Sequence, residues 1–352
     1  MKTTIKLGFI GVGFVAQQCH LPCFESIDDC EIYAISDLHD DLAKNIALKY
    51  NATKIYNSHI ELLRDPLVDA VVITVPRPLT YGLCKLALQA GKYVFTEKPL
   101  ALNSSSAKDI LTMSKELNVP IYIGYMRRMD ASVSYLKQLI SHELLNHQNP
   151  ILLNASCYMG DSYCRPFGDF KSTNTTKLSS SSHDSFPDVV SKSLWHAYET
   201  YLNVYSHMLD LLDYLFDSNL EIHSICLDSK SQGVSIFLNQ YKFPIVFSTA
   251  KQKISEWNER IEIIYRDKKI ELKLPAAFLR NQPGILNIQE GFSITSTTIV
   301  RPEWSWSFKN QAEHFIDICH KWPDHETNLT SAVRQITLIE KMFSTAYMQV
   351  ND

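Results

Sequence analysis

Gly11-Val12-Gly13-Phe14-Val15-Ala16 follows directly on the apolar run Ile5–Ile10 and opens a segment of helical spacing. No other stretch restricts the fold as tightly. A strand that turns at once into a helix needs glycine at the sharpest bend, a second glycine where a ligand meets the main chain, and a small residue where helix and strand pack closely. Gly11, Gly13 and Ala16 occupy those places, with Phe14 and Val15 between them. The unpaired N–H groups of the helix start then face a negatively charged ligand. Asp37 ends the next apolar run, Glu31–Ser36, 21 residues beyond Ala16, where a carboxylate accepts hydrogen bonds from the hydroxyls of an adenosine ribose. These residues predict a dinucleotide-binding βαβ unit with Gly11, Gly13, Phe14, Val15, Ala16 and Asp37 along the cofactor. Asp37 repels a 2′-phosphate and Leu38-His39-Asp40-Asp41 supplies no arginine to offset it, so NAD is favoured over NADP. A basic residue from elsewhere, such as Arg77, could reverse the preference.

Further apolar runs at Asp69–Val75, Tyr93–Thr96 and Pro120–Tyr125 alternate with segments of helical spacing at Leu38–Tyr50, Leu79–Ala90 and Ser104–Asn118. That alternation predicts a doubly wound parallel sheet covered by helices on both faces. Asn103 or Ser104 offers an N-cap, and Gly91 stops the preceding helix. Beyond Tyr125 the rhythm changes. A helix is expected over Ala131–Leu145, then strands at Ile151–Tyr158, Ile222–Leu227, Val234–Leu238, Ile245–Thr249, Arg260–Tyr265 and Ile270–Leu274, and a closing helix near Leu329–Met348. The expected architecture is therefore α/β: a Rossmann domain over 1–125 and an α+β domain with an open, mostly antiparallel sheet over 126–352. Lys171–Asp188, rich in Ser, Thr and Asn, reads as a mobile loop.

The balance of charge narrows the partners. Among 352 residues, 34 Lys and Arg stand against 38 Asp and Glu, which leaves no cationic footprint for DNA or RNA. No run approaches the roughly 18–20 apolar residues of a membrane span, so no membrane partner is expected, and the N-terminus reads as a strand rather than a signal peptide. Eight cysteines without a scaffold spacing fit reduced thiols in the cytoplasm. Cys19, His20 and Cys23 lie close together, but no second ligand pair matches them, and no metal site is expected.

Two motifs suggest chemistry. Glu97-Lys98-Pro99-Leu100-Ala101 follows the run Tyr93–Thr96, and Asn203-Val204-Tyr205-Ser206-His207-Met208-Leu209-Asp210 opens a helical segment. With Ala87-Leu88-Gln89-Ala90-Gly91-Lys92 and Gly124-Tyr125-Met126-Arg127-Arg128, the first motif resembles the Gfo/Idh/MocA oxidoreductases, the glucose–fructose oxidoreductase and inositol dehydrogenase family. The second is similar to that family's D-x-G-x-H-x-x-D segment, with Asn203 where an Asp is usual and Tyr205 where a Gly is usual. The resemblance gives Lys98 the task of orienting substrate at the mouth of the cofactor crevice and His207 that of proton carrier. It makes Asn203 a third catalytic position, although an Asn cannot ionise. Arg127, Arg128, Trp195 and Asp210 are the further substrate candidates, and Pro76, Glu97 and Lys98 the further cofactor candidates.

What the resemblance implies is an NAD(P)-dependent dehydrogenase acting on a sugar, nucleotide sugar, amino sugar or cyclitol. Two alternatives stand beside it: an enzyme that retains and recycles its NAD, as glycosidase-like relatives do, and a non-catalytic NAD(P)-binding sensor. The family also implies a homo-oligomer, dimer or tetramer. The runs Val234–Leu238 and Ile245–Thr249 would serve subunit pairing or, equally, inner-face packing.

Overall fold

A computed structural model describes residues 4–160, 184–217, 220–228, 233–240, 243–254, 256–324 and 327–350. Their packing divides the chain into two units.

The first unit is built on a six-stranded sheet of β1 (Ile5–Ile10), β2 (Cys30–Ser36), β3 (Lys54–Tyr56), β4 (Ala70–Ile73), β5 (Tyr93–Thr96) and β6 (Ile121–Ile123). All neighbours run parallel, in the order β3-β2-β1-β4-β5-β6. Every residue of β4 and β6 is buried, as in a sheet covered on both faces. The strand order changes direction at β1, between β2 and β4, and ligands bind in such sheets at the carboxyl ends beside that switch point. Between the strands come a wide, π-type turn (Ala16–His20) leading into α1 (Leu21–Glu25), then α2 (Asp40–Lys49), α3 (His59–Arg64), α4 (Arg77–Gln89) and α5 (Ser104–Leu117). Asn103 caps α5 by accepting from the N–H of Ser106 at 2.8 Å, and Gly91, at φ +68°, ends the turn after α4.

The second unit holds α6 (Ala131–Leu145), β7 (Leu152–Met159), α7 (Trp195–Thr200), a second π-type turn (Tyr201–Tyr205), and α8 (Ser206–Phe216). Its remaining strands are β8 (Glu221–Leu227), β9 (Gly233–Gln240), β10 (Phe243–Lys251), β11 (Trp257–Ile264), β12 (Lys268–Leu274), β13 (Ile285–Glu290) and β14 (Ser296–Val300). They form one sheet in the order β14-β13-β12-β11-β7-β10-β9-β8. Pairing is antiparallel except between β7 and β10. One face carries the core through Leu153, Ile236, Ile245, Phe247, Ile261 and Ile263, all fully buried. Tyr201 and Phe216 pack on that face against Phe247 and Phe243. The apolar residues of Val234–Leu238 and Ile245–Thr249 thus pack mainly inward, and Phe237 is the exposed one.

α9 (Ser307–Lys321) and α10 (Leu329–Val350) close the chain. Residues 308–336, and 184–187 with them, pack in the first unit, whereas the sequence suggested an uninterrupted second domain over 126–352. The reason is aromatic. Phe315 of α9 meets Phe24 at 6.2 Å and Phe95 at 5.5 Å between ring centres, closing a core that the first 125 residues leave open. Asn328 completes the edge of the sheet: its side chain accepts from the N–H of Ile123 at 2.9 Å and donates to the carbonyl of Ile123 at 2.7 Å. Most of the expected loop Lys171–Asp188 lies outside the described residues. Its Asp184 is buried and accepts from the N–H of Leu102, the amide of Asn103 and the hydroxyl of Ser106, which anchors the chain to the start of α5.

Candidate active site

The glycine loop lies at the carboxyl end of β1. Gly11 sits at φ +83°, and a Cβ there would come within 2.5 Å of the Thr74 carbonyl. Only glycine fits. Thr74 also donates its hydroxyl to the Gly11 carbonyl at 2.6 Å, binding the loop to the segment after β4. Gly13 is the opposite case, because a Cβ there would meet nothing within 4 Å. The main chain at Gly13 faces open space, in the place where a pyrophosphate approaches a dinucleotide fold. Asp37 stands beside it, its Oδ2 accepting from the N–H of Val12 at 2.9 Å and its Oδ1 from that of His39 at 2.9 Å. The carboxylate is thereby aimed at the loop by two backbone donors and keeps acceptor capacity for hydroxyls. Phe14 and Val15 are half-buried, Ala16 is buried, and Pro76 is exposed just ahead of α4. Glycine loop, open cradle and acidic residue fit a nicotinamide dinucleotide.

Glu97 and Lys98 follow β5, with a cis peptide between Lys98 and Pro99. Glu97 Oε1 lies 2.8 Å from Nε2 of the fully buried His20, and Glu97 Oε2 accepts from the Lys98 N–H at 3.2 Å. Both oxygens of Glu97, expected beside the cofactor, are therefore engaged by the protein. His20 is a residue that sequence reasoning missed as part of the site. The signal was available only as a half-buried carboxylate wanting a donor, and that donor stands on a different element. Lys98 itself is half-buried.

In the second unit, Trp195 through Phe216 runs as one helical rod widened at Tyr201–Tyr205. Its sides differ sharply. Tyr201, Leu202, Tyr205, Met208 and Leu209 are buried, whereas Asn203 and His207, one turn apart, are partly open. A polar pair on one face of a buried helix can present a hydrogen-bonding amide and an imidazole to one small molecule. Asp210 is elsewhere. It is fully buried, and Arg128 grips it with two hydrogen bonds, from Nε at 2.7 Å and from Nη2 at 2.6 Å. Arg127 is 2% exposed and donates to Glu259 and, at 2.8 Å, to the Pro275 carbonyl. Glu259 also accepts from the Trp257 indole at 3.0 Å, and burial pushes its carboxyl up from the usual range against the pull of Arg127. The sequence offered Arg127, Arg128 and Asp210 as substrate contacts. Their charges are spent on one another and on Glu259, so they hold the second unit together. Trp195, half-buried, donates its indole N–H to the Val190 carbonyl at 3.1 Å within its own turn. Among the described residues no group of three or more His, Cys, Asp or Glu is placed to hold a metal.

Residues 5–125 match the model of the oxidoreductase family with an NAD-binding Rossmann fold, Gfo/Idh/MocA. The likeness to this family covers those residues, about a third of the chain. A myo-inositol 2-dehydrogenase from Thermotoga maritima is 32% identical over 138 residues, covering 39% of this chain and 41% of its own. The chain thus matches about two fifths of the length of such curated relatives. Two crystal structures extend the likeness in fold to nearly the whole chain. A 3-ketoreductase from Actinomadura kijaniata in complex with NADP and TDP-benzene has a TM-score of 0.74 at 16% identity, covering 96% of each chain. The scyllo-inositol dehydrogenase from Lactobacillus casei has a TM-score of 0.72 at 15% identity, covering 100% of this chain and 98% of its own. Among the described residues no helix is long and apolar enough to cross a membrane.

Proposed function

We propose that this protein is a Gfo/Idh/MocA oxidoreductase, an NAD-dependent dehydrogenase acting on a hydroxyl or keto carbon of a sugar, nucleotide sugar, amino sugar or cyclitol. The open main chain at Gly13 beside Asp37 supports this reading, since it leaves an unobstructed approach for a pyrophosphate next to a carboxylate able to accept from a ribose. When bound, the nicotinamide supplies or accepts the hydride. The chain's own residues do the remaining work. Gly11, Gly13 and Ala16 admit the dinucleotide, with Phe14, Val15 and Pro76 beside it, and Asp37 takes the ribose hydroxyls. Lys98 points its ammonium at the reacting oxygen and holds negative charge there as it develops. His207 takes or returns the hydroxyl proton on its imidazole, and Asn203 hydrogen-bonds a neighbouring hydroxyl. The inositol dehydrogenase relative supports a polyol substrate. NAD is preferred because Asp37 would meet a 2′-phosphate with like charge, although the 3-ketoreductase of similar fold carries NADP. The reading includes a homo-oligomeric active form and a cytoplasmic location, the latter supported by cysteines without a scaffold spacing.

A second reading, an NAD-binding sensor without turnover, draws on Asn203, which cannot stabilise a protonated His207 by charge. A fluorescence screen for reduced nicotinamide across sugars, inositols and nucleotide sugars, run with NAD and NADP in parallel, separates the two. Turnover of at least one polyol with NAD, reduced a hundredfold or more in His207→Ala, is the expected result. Tight NAD binding without product across the panel sinks the dehydrogenase reading. A tenfold preference for NADP, about 1.4 kcal/mol, sinks the assignment of Asp37.

A further inference from the structure

We propose that His20 is a positioning residue for Lys98, acting through the carboxylate of Glu97. The inference rests on the reading of Lys98 as the group that orients the substrate oxygen, and it adds how that lysine is held. Glu97 is gripped at both ends: its Oε1 by His20 Nε2 at 2.8 Å and its Oε2 by the main-chain N–H of Lys98 at 3.2 Å. Gly124 makes room for this arrangement, since a Cβ there would stand 3.0 Å from Glu97 Oε1. His20 has little freedom of its own. It is fully buried, with its ring edge-on to Phe95 at 5.0 Å and to Phe308 at 5.8 Å. Its Nδ1 is buried without a hydrogen-bond partner among the described residues. A hydrogen on Nδ1 would be stranded among apolar rings. The pairing is therefore served by the tautomer with hydrogen on Nε2, which donates to the Glu97 carboxylate and leaves only a bare lone pair at Nδ1.

The place of His20 in the chain gives this contact a reach beyond local packing. It is the last residue of the wide turn Ala16–His20, which begins at the small residue of the glycine loop and is tied to that loop by Gln17, whose N–H donates to the Gly13 carbonyl and whose amide donates to the Val12 carbonyl. A continuous set of hydrogen bonds and covalent turns thus runs from the cofactor loop through His20 and Glu97 to Lys98. Removing the imidazole N–H frees one end of the Glu97 carboxylate, which then turns and releases the Lys98 main chain. Wide turns of this kind recur at functional sites because they re-aim a side chain without ending the helix.

Two variants test the idea. His20→Leu keeps an apolar side chain and removes the donor, while His20→Gln keeps an amide N–H near the position of Nε2. Competitive acylation of the intact protein, read by peptide mass spectrometry across a pH series, measures the reactivity of the Lys98 amine without turnover, with exposed Lys108 as internal reference. In His20→Leu, Lys98 reactivity relative to Lys108 should shift at least threefold and kcat should fall at least tenfold, with KM and NAD affinity within twofold of wild type. His20→Gln should restore both. Unchanged Lys98 reactivity, or a kcat loss that follows only the fall in melting temperature, overturns the proposal. Should His20→Leu fail to fold, Glu97→Gln is read by acylation in its place, with the same shift expected and the same null result fatal. Wild-type protein that turns over no polyol, or Lys98→Ala protein with full turnover, would instead overturn the catalytic reading of Lys98, and the acylation result would still decide whether His20 positions it.

Discussion

Gly11 and Gly13 are two residues apart and do different work. A side chain at Gly11 collides with the Thr74 carbonyl in a left-handed backbone conformation. Gly11→Ala should therefore lose about 1–3 kcal/mol of stability, read by chemical denaturation. Gly13→Ala places its methyl in open space, so the melting temperature should stay within a degree or two of wild type while calorimetric NAD affinity falls at least tenfold. Arg127 gives a different kind of prediction. Arg127→Met would leave Glu259 charged and unpaired in the core, at a cost of roughly 3–5 kcal/mol. Because burial already raises the Glu259 pKa above its ordinary 4.5, the folded form takes up a proton at higher pH than the unfolded chain. The resulting stabilisation is complete below pH 4.5 and is lost as pH rises through the raised folded value. Losing Arg127 raises that value further, so the variant should be less destabilised, relative to wild type, near pH 5 than near pH 8. An equal loss at both pH values would mean that Glu259 does not titrate in that window.

At the level of elements, legibility followed burial. The strands β1, β4 and β5 could be read from their unbroken apolar runs because both faces of the sheet are covered. The short edge strand β3 was missed, since Lys54 and Ile55 are exposed and three residues give no periodicity. β14 was missed because every residue but Val300 is exposed, and β13 because Leu286 is its one fully buried residue and the others are half-buried or exposed. The glycine loop and Asp37 were legible because their chemistry lies within one βαβ unit. The partners of Glu97, Arg128 and Arg127 were not, since His20, Asp210 and Glu259 lie 77, 82 and 132 residues away in sequence. Asn328, 205 residues from Ile123, acts as a one-residue strand at the free edge of β6. Asn328→Ala would leave a buried N–H and a buried carbonyl unpaired, at a cost of roughly 2–5 kcal/mol. Hydrogen exchange should show the Ile123 amide losing protection before the amides of β1 do.

At the scale of the molecule, the first unit is a domain in space and not in sequence. Phe24, Phe95 and Tyr122 are covered by Phe315 of α9, so a fragment of residues 1–125 should expose them. Such a fragment is expected to bind an apolar dye and to melt without a cooperative transition. A sharp melt with no dye binding would show that α9 is dispensable to the core. The return of residues 308–336 to the first unit also sets an order for synthesis in the cell. The glycine loop leaves the ribosome early, but the rings beneath it wait for α9 while the intervening chain is made. At ordinary elongation rates of about 5–20 residues per second, that wait is on the order of ten to forty seconds. During it the nascent chain offers an open aromatic surface to whatever chaperone attends the ribosome, and the cofactor unit closes only after residues 308–336 have emerged.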